Sequence, residues 1–190
     1  MEQIIEETLK VLNRGGIILY PTDTVWGIGC DGTKPEAVRK IYALKRRIDT
    51  KAMIMLVGKV DDLWRYVEDV PPIAEELFEA SSGGGKPVTV ILPGGCGVAD
   101  NVLPEEGTIA LRVPGHDFCQ RLLRKFKRPL VSTSANISGE KSPNNFGEIS
   151  AEILSGVDYI VPREMEKGAK GSPSSIIMVG GDSSVTIIRQ

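Results

Sequence analysis

Residues 16–32, GIILYPTDTVWGIGCDG, decide the fold, because this stretch passes from a buried strand into polar side chains within a few positions. Residues 17–19 (IIL) are apolar without alternation, which predicts a short strand covered on both faces. Tyr20 and Pro21 end that strand, since proline cannot donate to a ladder and keeps the residue before it extended. We therefore expect residues 22–24 (TDT) to emerge at the carboxyl end of the strand, the usual ligand edge of an α/β sheet.

Two interpretations of residues 22–24 are open from this stretch alone. Two hydroxyls that flank a carboxylate can bind an amino acid, another hydroxyl or a sugar. Alternatively, the same side chains form an Asx or ST turn that only caps the strand.

The length and composition predict one globular domain, residues 1–190, rather than two. A hydrophobic content of 41% is ordinary for a globular protein. The net charge of −2 excludes a uniformly basic nucleic-acid-binding protein but permits a local basic patch. Three widely spaced cysteines predict neither a disulfide framework nor a zinc site. The single histidine, His116, excludes sites that need two imidazoles.

The sequence gives no sign of a membrane segment. Its apolar runs are all far shorter than the roughly 20 residues that a membrane span needs. The acidic start, MEQIIEE, is unlike a signal peptide. We therefore expect a cytoplasmic protein without a membrane partner.

Hydrophobic periodicity and capping signals predict both helices and strands along the chain. The expected helices are residues 2–14, 35–44, 61–67, 71–80, 117–127 and 149–154. The expected strands, besides the one at 17–19, are residues 52–57, 88–92, 108–113, 129–131, 159–161 and 185–188.

Gly27, Gly29 and Gly32 have the spacing of a dinucleotide-binding loop. In that loop the helix starts within the glycines, whereas here the helix start signal follows them. These glycines are therefore interpreted as sites of close packing or of a tight turn.

Cationic side chains stand beside two predicted strands. Residues 45–47 (KRR) follow the end of a predicted helix, where they either favour its C-terminus through the helix dipole or bind an anion. Arg112 lies near the end of the apolar strand 108–113, where an unpaired charge is costly to bury. It must pair with a carboxylate or meet the anion of a ligand.

The most specific motif is residues 132–139, STSANISG. Hydroxyls, an amide and backbone N–H groups at the end of a strand form a nest suited to phosphate oxygens. A purely structural turn rarely needs so many of these groups.

The helix 117–127 carries the strongest basic cluster of the chain, which is either a solvated face or an RNA-facing surface. The cluster consists of Arg121, Arg124, Lys125, Lys127 and Arg128.

These motifs resemble, in order, those of the YrdC/Sua5 family of threonylcarbamoyl-AMP synthases. The opening YPTDTVWGIG matches the first family motif, and Lys45 with Arg47 matches its Lys-x-Arg. Residues 112–116 (RVPGH) match Arg-hydrophobic-Pro-x-His, and STSANISG matches its motif almost residue for residue. Residues 171–177 (GSPSSII) and Arg189 resemble two later family features. The resemblance covers essentially the whole chain.

The resemblance implies an α/β fold: a single YrdC-like domain with a twisted mixed β-sheet, flanking helices and a concave, positively lined cavity. It implies that L-threonine, bicarbonate and ATP are condensed into threonylcarbamoyl-AMP with release of pyrophosphate, for t6A modification of tRNA at position 37. Such a nucleotidyltransferase brings three anionic groups together. It therefore needs cations and oriented donors more than a protein nucleophile.

The resemblance also implies which residues form the site. Positive charge for the reaction comes from Lys45, Arg47 and Arg112. L-threonine, its carbamate and bicarbonate are held by Thr24, Arg112, Ser132 and Ser174. ATP is held by Arg47, Lys51, Thr108, Ser134, Asn136, Ser142 and Arg189. No metal ligand is expected in the protein, whereas Mg2+ is expected on the phosphates of ATP.

Two positions depart from the family pattern. Lys51 stands where many members have Asn, and Leu56 stands where they have a His that contacts substrate. Leu56 cannot replace an imidazole, which leaves substrate selection open. The end of the chain at Gln190 predicts the short form, without the extra C-terminal domain of the longer Sua5 type.

Two rival functions stay open. A YrdC-like protein can bind tRNA or double-stranded RNA without synthase activity, through the basic cluster on helix 117–127. Alternatively, the ATP site serves another carbamoyl or acyl transfer, although the zinc-finger and acylphosphatase-like segments of longer hydrogenase-maturation proteins are missing. Besides the substrates, the resemblance implies tRNA and the proteins that transfer the threonylcarbamoyl group as partners.

Overall fold

The computed structural model describes residues 1–47, 53–168 and 171–190. Within them lie the α-helices α1 (Glu2–Asn13), α2 (Pro35–Leu44), α3 (Pro72–Ser82), α4 (Asp117–Phe126) and α5 (Ala151–Gly156). Short 3₁₀ helices lie at Val60–Arg65, Asp100–Val102, Phe146–Glu148 and Arg163–Met165. None of the helices in these described ranges is long and apolar enough to cross a membrane.

The strands of the described ranges form one mixed, nine-stranded sheet. They are β1 (Ile18–Tyr20), β2 (Gly27–Gly29), β3 (Ile54–Leu56), β4 (Val88–Leu92), β5 (Ile109–Arg112), β6 (Leu130–Ser134), β7 (Tyr159–Ile160), β8 (Ser175–Val179) and β9 (Val185–Arg189). Their order is β7-β1-β2-β6-β3-β5-β4-β8-β9. The pairs β1–β7, β3–β5 and β4–β8 are parallel, whereas the remaining pairs are antiparallel. The predicted α/β class, with a mixed sheet flanked by helices, is confirmed.

Most predicted elements are confirmed, with small changes at their ends. α2 and β4 match the prediction residue for residue. The predicted helix 61–67 is wrong in kind, because a 3₁₀ helix forms there instead. α5 begins two residues later than predicted, since Oγ of Ser150 caps it by accepting from the Ile153 N–H at 3.4 Å. The predicted strand 52–57 begins outside the described residues, and β3 is its observed part.

β2 is a strand that the sequence does not predict, because its GIG composition has low strand propensity. It lies between β1 and β6 in the sheet. A Cβ on Gly29 would lie 2.6 Å from the carbonyl oxygen of Val131 and 2.8 Å from Cε1 of Tyr20. Of the two predicted roles for these glycines, Gly29 therefore has close packing.

The two faces of the sheet are covered differently. One face, which includes Met55, Leu111 and Val131, packs in the main core together with residues of α2 and α3. On the opposite face, Leu56 and Leu130 pack in a second core with residues of α1 and α4. Because side chains alternate along a strand, Ile54 and Ser132 share the face of Leu56 and Leu130. Ile54 packs against the second core, whereas Ser132 is not part of it. This part of the face is where polar side chains collect.

The close approach at Gly29 predicts a large cost for a single methyl group. Gly29→Ala should lower the free energy of unfolding by about 1–3 kcal/mol, since the Cβ meets backbone and a buried ring that cannot move away freely. Urea denaturation of the variant and the wild type measures this difference. Gly181→Ala is the matched control, because its Cβ would meet no atom within 4 Å. Equal stability of the two variants would contradict the close packing of β2.

Candidate functional site

A cavity with two adjoining lobes opens on the sheet face beyond the second core. The first lobe, of about 230 Å³, lies against the loop that follows β1. The second lobe, of about 510 Å³, lies over β4, β5 and β8. Arg47, Ile54, Ile176 and Arg189 line both lobes, so two cations stand where the lobes meet. The combined space suits a small molecule with separate polar and apolar parts.

Most of the residues that the sequence predicted for the site line this cavity. The first lobe brings together Thr24, Arg47, Arg112, Ser132, Ser134, Ser142, Ser174 and Arg189. Thr108 lines the second lobe. Lys45 and Asn136 are not among the described residues that line either lobe. The predicted contact from Lys51 lies outside the described residues.

The loop after β1 combines the two interpretations that its sequence left open. Oγ1 of Thr22 accepts from the Thr24 N–H at 3.0 Å and donates to the Val25 carbonyl at 2.7 Å, which is an ST turn. The two hydroxyls of Thr22 and Thr24 lie 2.8 Å apart. Since the Thr22 proton is used on Val25, Thr24 donates within this pair. The Thr24 oxygen therefore faces the first lobe mainly as a hydrogen-bond acceptor.

Arg112 is the buried cation of the first lobe, with 4% of its surface exposed. Its Nη2 donates to Oδ1 of Asp23 at 2.6 Å, and its Nη1 donates to Oγ1 of Thr24 at 3.0 Å. Its Nε has no hydrogen-bond partner among the described residues. Of the two predicted fates, Arg112 thus pairs with a carboxylate and also lines a cavity. The sequence left open that Asp23 binds a ligand, but it did not predict the pairing with Arg112, because the two residues lie 89 positions apart.

Ser174 is held from two sides at the boundary of the lobes. Arg189 donates to the Ser174 carbonyl from Nε at 3.0 Å and from Nη2 at 2.7 Å. The hydroxyls of Ser174 and Thr89 lie 2.8 Å apart, and both residues are buried. Thr89 lines the second lobe and was missed, although a hydroxyl inside the apolar strand VTVIL was a usable signal. Ser174 is therefore fixed by neighbours from both lobes.

A β-bulge in β9 directs consecutive side chains toward the cavity. The pairing of β8 with β9 shifts between Ile176 and Ile177, where Ile188 is the extra residue on β9. Bulges of this kind re-aim side chains beside functional sites. Ile188 and Arg189 consequently both line the second lobe. Burial, and then the charge of Arg112, lower the pKa of Arg189, which indicates that the two guanidinium groups lie close together.

Lys45 is bound to the motif STSANISG rather than exposed in the cavity. Its Nζ donates to the carbonyl oxygens of Ser134 and Asn136, each at 2.6 Å, and 3% of the residue is exposed. The Ser138 N–H donates to the Lys45 carbonyl at 2.9 Å. Burial, and then the charge of Arg47, lower the pKa of Lys45 to about 8. Lys45 thus shapes the turn that carries the predicted phosphate nest.

Leu56 and His116 are not among the described residues that line the lobes. Leu56 is fully buried in the second core, so its side chain does not replace a substrate contact there. His116 is buried at the start of α4, where burial lowers the pKa of its imidazole. Within the described ranges, no group of three or more His, Cys, Asp or Glu side chains is arranged to hold a metal ion.

The basic cluster of α4 is largely neutralised by neighbouring carboxylates. Arg121 pairs with Asp117, Lys125 with Glu2, and Arg128 with the buried Asp31. The two exposed pairs, of Arg121 and Lys125, contribute little to stability, but all three pairs reduce the charge presented to a nucleic acid. The structure therefore favours a solvated helix face for this cluster.

Comparison with known proteins agrees with this geometry. The Sua5/YciO/YrdC family model, described as telomere recombination, matches residues 10–190. A threonylcarbamoyl-AMP synthase of Idiomarina loihiensis is 36% identical over 162 residues, which are 85% of this chain and 86% of that protein. Another, of Vibrio campbellii, is 32% identical over 171 residues, which are 90% of this chain and 91% of that protein.

A solved structure shares the fold. P. abyssi Sua5 complexed with L-threonine aligns with a TM-score of 0.79 and 24% identity, covering 92% of this chain and 50% of that chain. At this identity, the likeness concerns the fold alone. The family model spans nearly all of the chain, and the two relatives match most of it in both directions. These matches show that the protein belongs to the Sua5/YciO/YrdC family.

Proposed function

We propose that the protein is a threonylcarbamoyl-AMP synthase, which forms threonylcarbamoyl-AMP and pyrophosphate from L-threonine, bicarbonate and ATP. The observation that carries the proposal is the buried Arg112, which lies in a hydroxyl-lined lobe that adjoins a second lobe through Arg47 and Arg189. Three guanidinium groups around one cavity suit a reaction that joins a carboxylate to a phosphate ester. The names of the relatives from Idiomarina and Vibrio support the same activity.

In this proposal, the first lobe binds L-threonine and its carbamate. The carboxylate accepts from Arg112, whose Nε has no partner among the residues described. Thr24, whose hydroxyl oxygen is an acceptor, suits the amino group of the substrate. Ser132 and Ser174 supply further hydroxyls along the same wall. P. abyssi Sua5, which shares the fold, has been solved in complex with L-threonine.

The reaction then needs two bond-forming steps. The amino group of threonine loses a proton and attacks the carbon of bicarbonate, which loses water and gives a carbamate. A carbamate oxygen attacks the α-phosphorus of ATP, and the bond to pyrophosphate breaks. Cations and donors held in place before the reaction stabilise the charge that develops on the phosphate oxygens.

ATP is assigned to the second lobe, the boundary and the adjoining part of the first lobe. Arg47 and Arg189 stand where the lobes meet, Ser134 and Ser142 line the first lobe, and Thr108 lines the second. Asn136 acts in this proposal by shaping the turn, since its Nδ2 donates to the carbonyls of Ile137 and Glu140. Mg2+ would arrive as the counter-ion of the ATP phosphates. Lys51 is proposed as a further phosphate contact.

Lys45 is proposed as a positioning residue for the phosphate nest. Its Nζ fixes two carbonyls of the motif STSANISG, and so it orients the hydroxyl of Ser134 without reaching the substrate itself. The product is a reactive mixed anhydride that must be passed on to tRNA. We therefore also propose the tRNA-modifying proteins, and tRNA itself, as partners of a cytoplasmic enzyme.

The decisive test of the activity is release of pyrophosphate from ATP. Release should require both L-threonine and bicarbonate and should fall when serine replaces threonine. In Arg112→Ala, kcat/KM for threonine should fall by about 100-fold or more, because the carboxylate loses its buried partner. Arg112→Lys should recover only part of the activity, since an ammonium group cannot reproduce the guanidinium fork.

Arg39→Ala is the matched control, because Arg39 is an exposed arginine of α2 paired only with Glu36 in the part of the chain that is described. It should keep wild-type kinetics. Circular dichroism verifies that each variant is folded. Pyrophosphate release that is independent of threonine, or an Arg112→Ala variant as active as the control, would contradict the proposed function.

The environment of Lys45 predicts a specific pH dependence of stability. Its pKa falls from 10.5 to about 8 on folding, so between these pH values the unfolded chain holds a proton that the folded protein has released. Stability contributed by Lys45 should therefore rise with pH in this window and be lost as the pH falls through 8. Relative to Lys45→Met, the free energy of unfolding of the wild type should gain at most about 3 kcal/mol across the window.

Chemical denaturation at pH 7, 8, 9 and 10 measures this gain. The control is Lys10→Met, because the ammonium of Lys10 is exposed and its pKa is raised by Glu7. The control should show no such gain. If the difference in the free energy of unfolding between the wild type and Lys45→Met does not change with pH, the amine of Lys45 is solvated in the folded protein. That result would refute its positioning role.

A further inference from the structure

One carboxylate outside the predicted motifs connects the walls of the first lobe. Oε1 of Glu166 accepts from Nε1 of Trp26 at 2.7 Å and from the backbone N–H of Phe146 at 3.2 Å. Trp26 lines the first lobe and is 1% exposed, so its indole N–H has been withdrawn from water. Within the protein, a donor of this kind is costly to leave without an acceptor.

The segments that Glu166 joins are far apart in sequence. Trp26 follows the loop with Thr24, and Phe146 follows the segment that brings Ser142 to the first lobe. The rings of Trp26 and Phe146 also meet edge to face, with centroids 5.0 Å apart and planes inclined at 62°. The carboxylate and the aromatic contact therefore hold the same two walls together.

Residues close to Glu166 in the sequence contact other parts of the protein. The imidazole of His116, whose ring nitrogens have no hydrogen-bond partner among the described residues, lies beside the backbone of Met165 and Lys167. The N–H of Gly171 donates to the Thr24 carbonyl at 2.9 Å. Pro173 and Ser174 then line the first lobe. The hydrogen bonds of Glu166 itself are with Trp26 and Phe146.

We propose that Glu166 is a positioning residue for the substrate of the first lobe. By accepting two hydrogen bonds on one oxygen, it holds the wall of Trp26 and the segment of Ser142 in one arrangement. The proposal rests on the proposed function, under which this substrate is L-threonine. Glu166 itself does not line the lobe among the residues described and makes no contact with the reacting atoms.

The geometry indicates that Glu166 acts as an acceptor rather than as a charge. Its pairing with Arg163 is long, with 3.6 Å between Oε2 and Nε, and the Arg163 side chain is 66% exposed. Exposed pairs at such distances contribute little. Both short hydrogen bonds end on Oε1, and the carbonyl oxygen of a glutamine can accept the same two bonds. Glu166→Gln should therefore rescue what Glu166→Ala loses.

The first measurement is a comparison of Michaelis constants in the pyrophosphate assay. In Glu166→Ala, KM for L-threonine should rise by about tenfold or more, because small displacements of positioning groups are costly. KM for ATP should rise less, since Ser142 is the only described residue assigned to ATP that lies on a segment held by Glu166. Glu166→Gln should keep both constants near wild type, and Trp26→Phe should raise only KM for threonine. Arg163→Ala and Glu36→Ala are controls that leave the two hydrogen bonds on Oε1 intact.

The second measurement does not depend on the activity. Trp64 is 52% exposed and is the other tryptophan of the chain, so Trp64→Phe leaves Trp26 as the single tryptophan, which is excited selectively over the tyrosines. In that background, acrylamide should quench Trp26 weakly. Adding Glu166→Ala should increase the quenching, and adding Glu166→Gln should not.

The outcomes separate this proposal from the proposed function. If the wild-type protein shows no threonine-dependent release of pyrophosphate, the proposed function and the substrate named here are overturned. The quenching measurement would then still decide whether Glu166 holds Trp26. Equal rises of both Michaelis constants in Glu166→Ala would indicate a general structural role and overturn the proposal. Failure of Glu166→Gln to rescue, or unchanged quenching in Glu166→Ala, would overturn it as well.

Discussion

The structure depends on satisfying one buried positive charge. Arg112 is almost fully enclosed, and an unpaired guanidinium there would be strongly destabilising. Its partners, Asp23 and Thr24, follow β1, whereas Arg112 ends β5, and β2, β6 and β3 lie between these strands. The loop after β1 must therefore reach across the ends of three strands. That crossing forms a wall of the first lobe, so the same ion pair stabilises the fold and shapes the site.

Sequence alone predicted what is encoded locally. α2 and β4 follow from capping and apolar patterns, and the motif residues that line the cavity follow from the family resemblance. The partner of Arg112 was left open, because a choice between carboxylate and ligand depends on a residue 89 positions away. Thr89 and Glu166 were missed for the same reason, since their contacts join distant segments. Leu56 suggested a lost substrate contact, yet strand alternation and the packing of α1 and α4 bury it in the second core.

One cation beside the cavity and one that lines it are held in place by backbone oxygens. Lys45 is bound by two carbonyls, and Arg189 by the carbonyl of Ser174. Such contacts fix the direction of each cation without cancelling its charge, as a carboxylate would. Among the cavity cations whose contacts are described, only Arg112 pairs with a carboxylate. Its second partner is a hydroxyl. The arrangement leaves a positive site whose geometry is set before any anion enters.

The position of Arg189 has a consequence for motion. All five residues of β9 are exposed, and the strand pairs with β8 at the end of the strand order. Strands with little buried surface open locally at a smaller free-energy cost than the core. Each such opening would remove a cation from both lobes at once. Anion affinity is thus linked to the local stability of β9, and by the same linkage a bound anion slows amide hydrogen exchange along that strand.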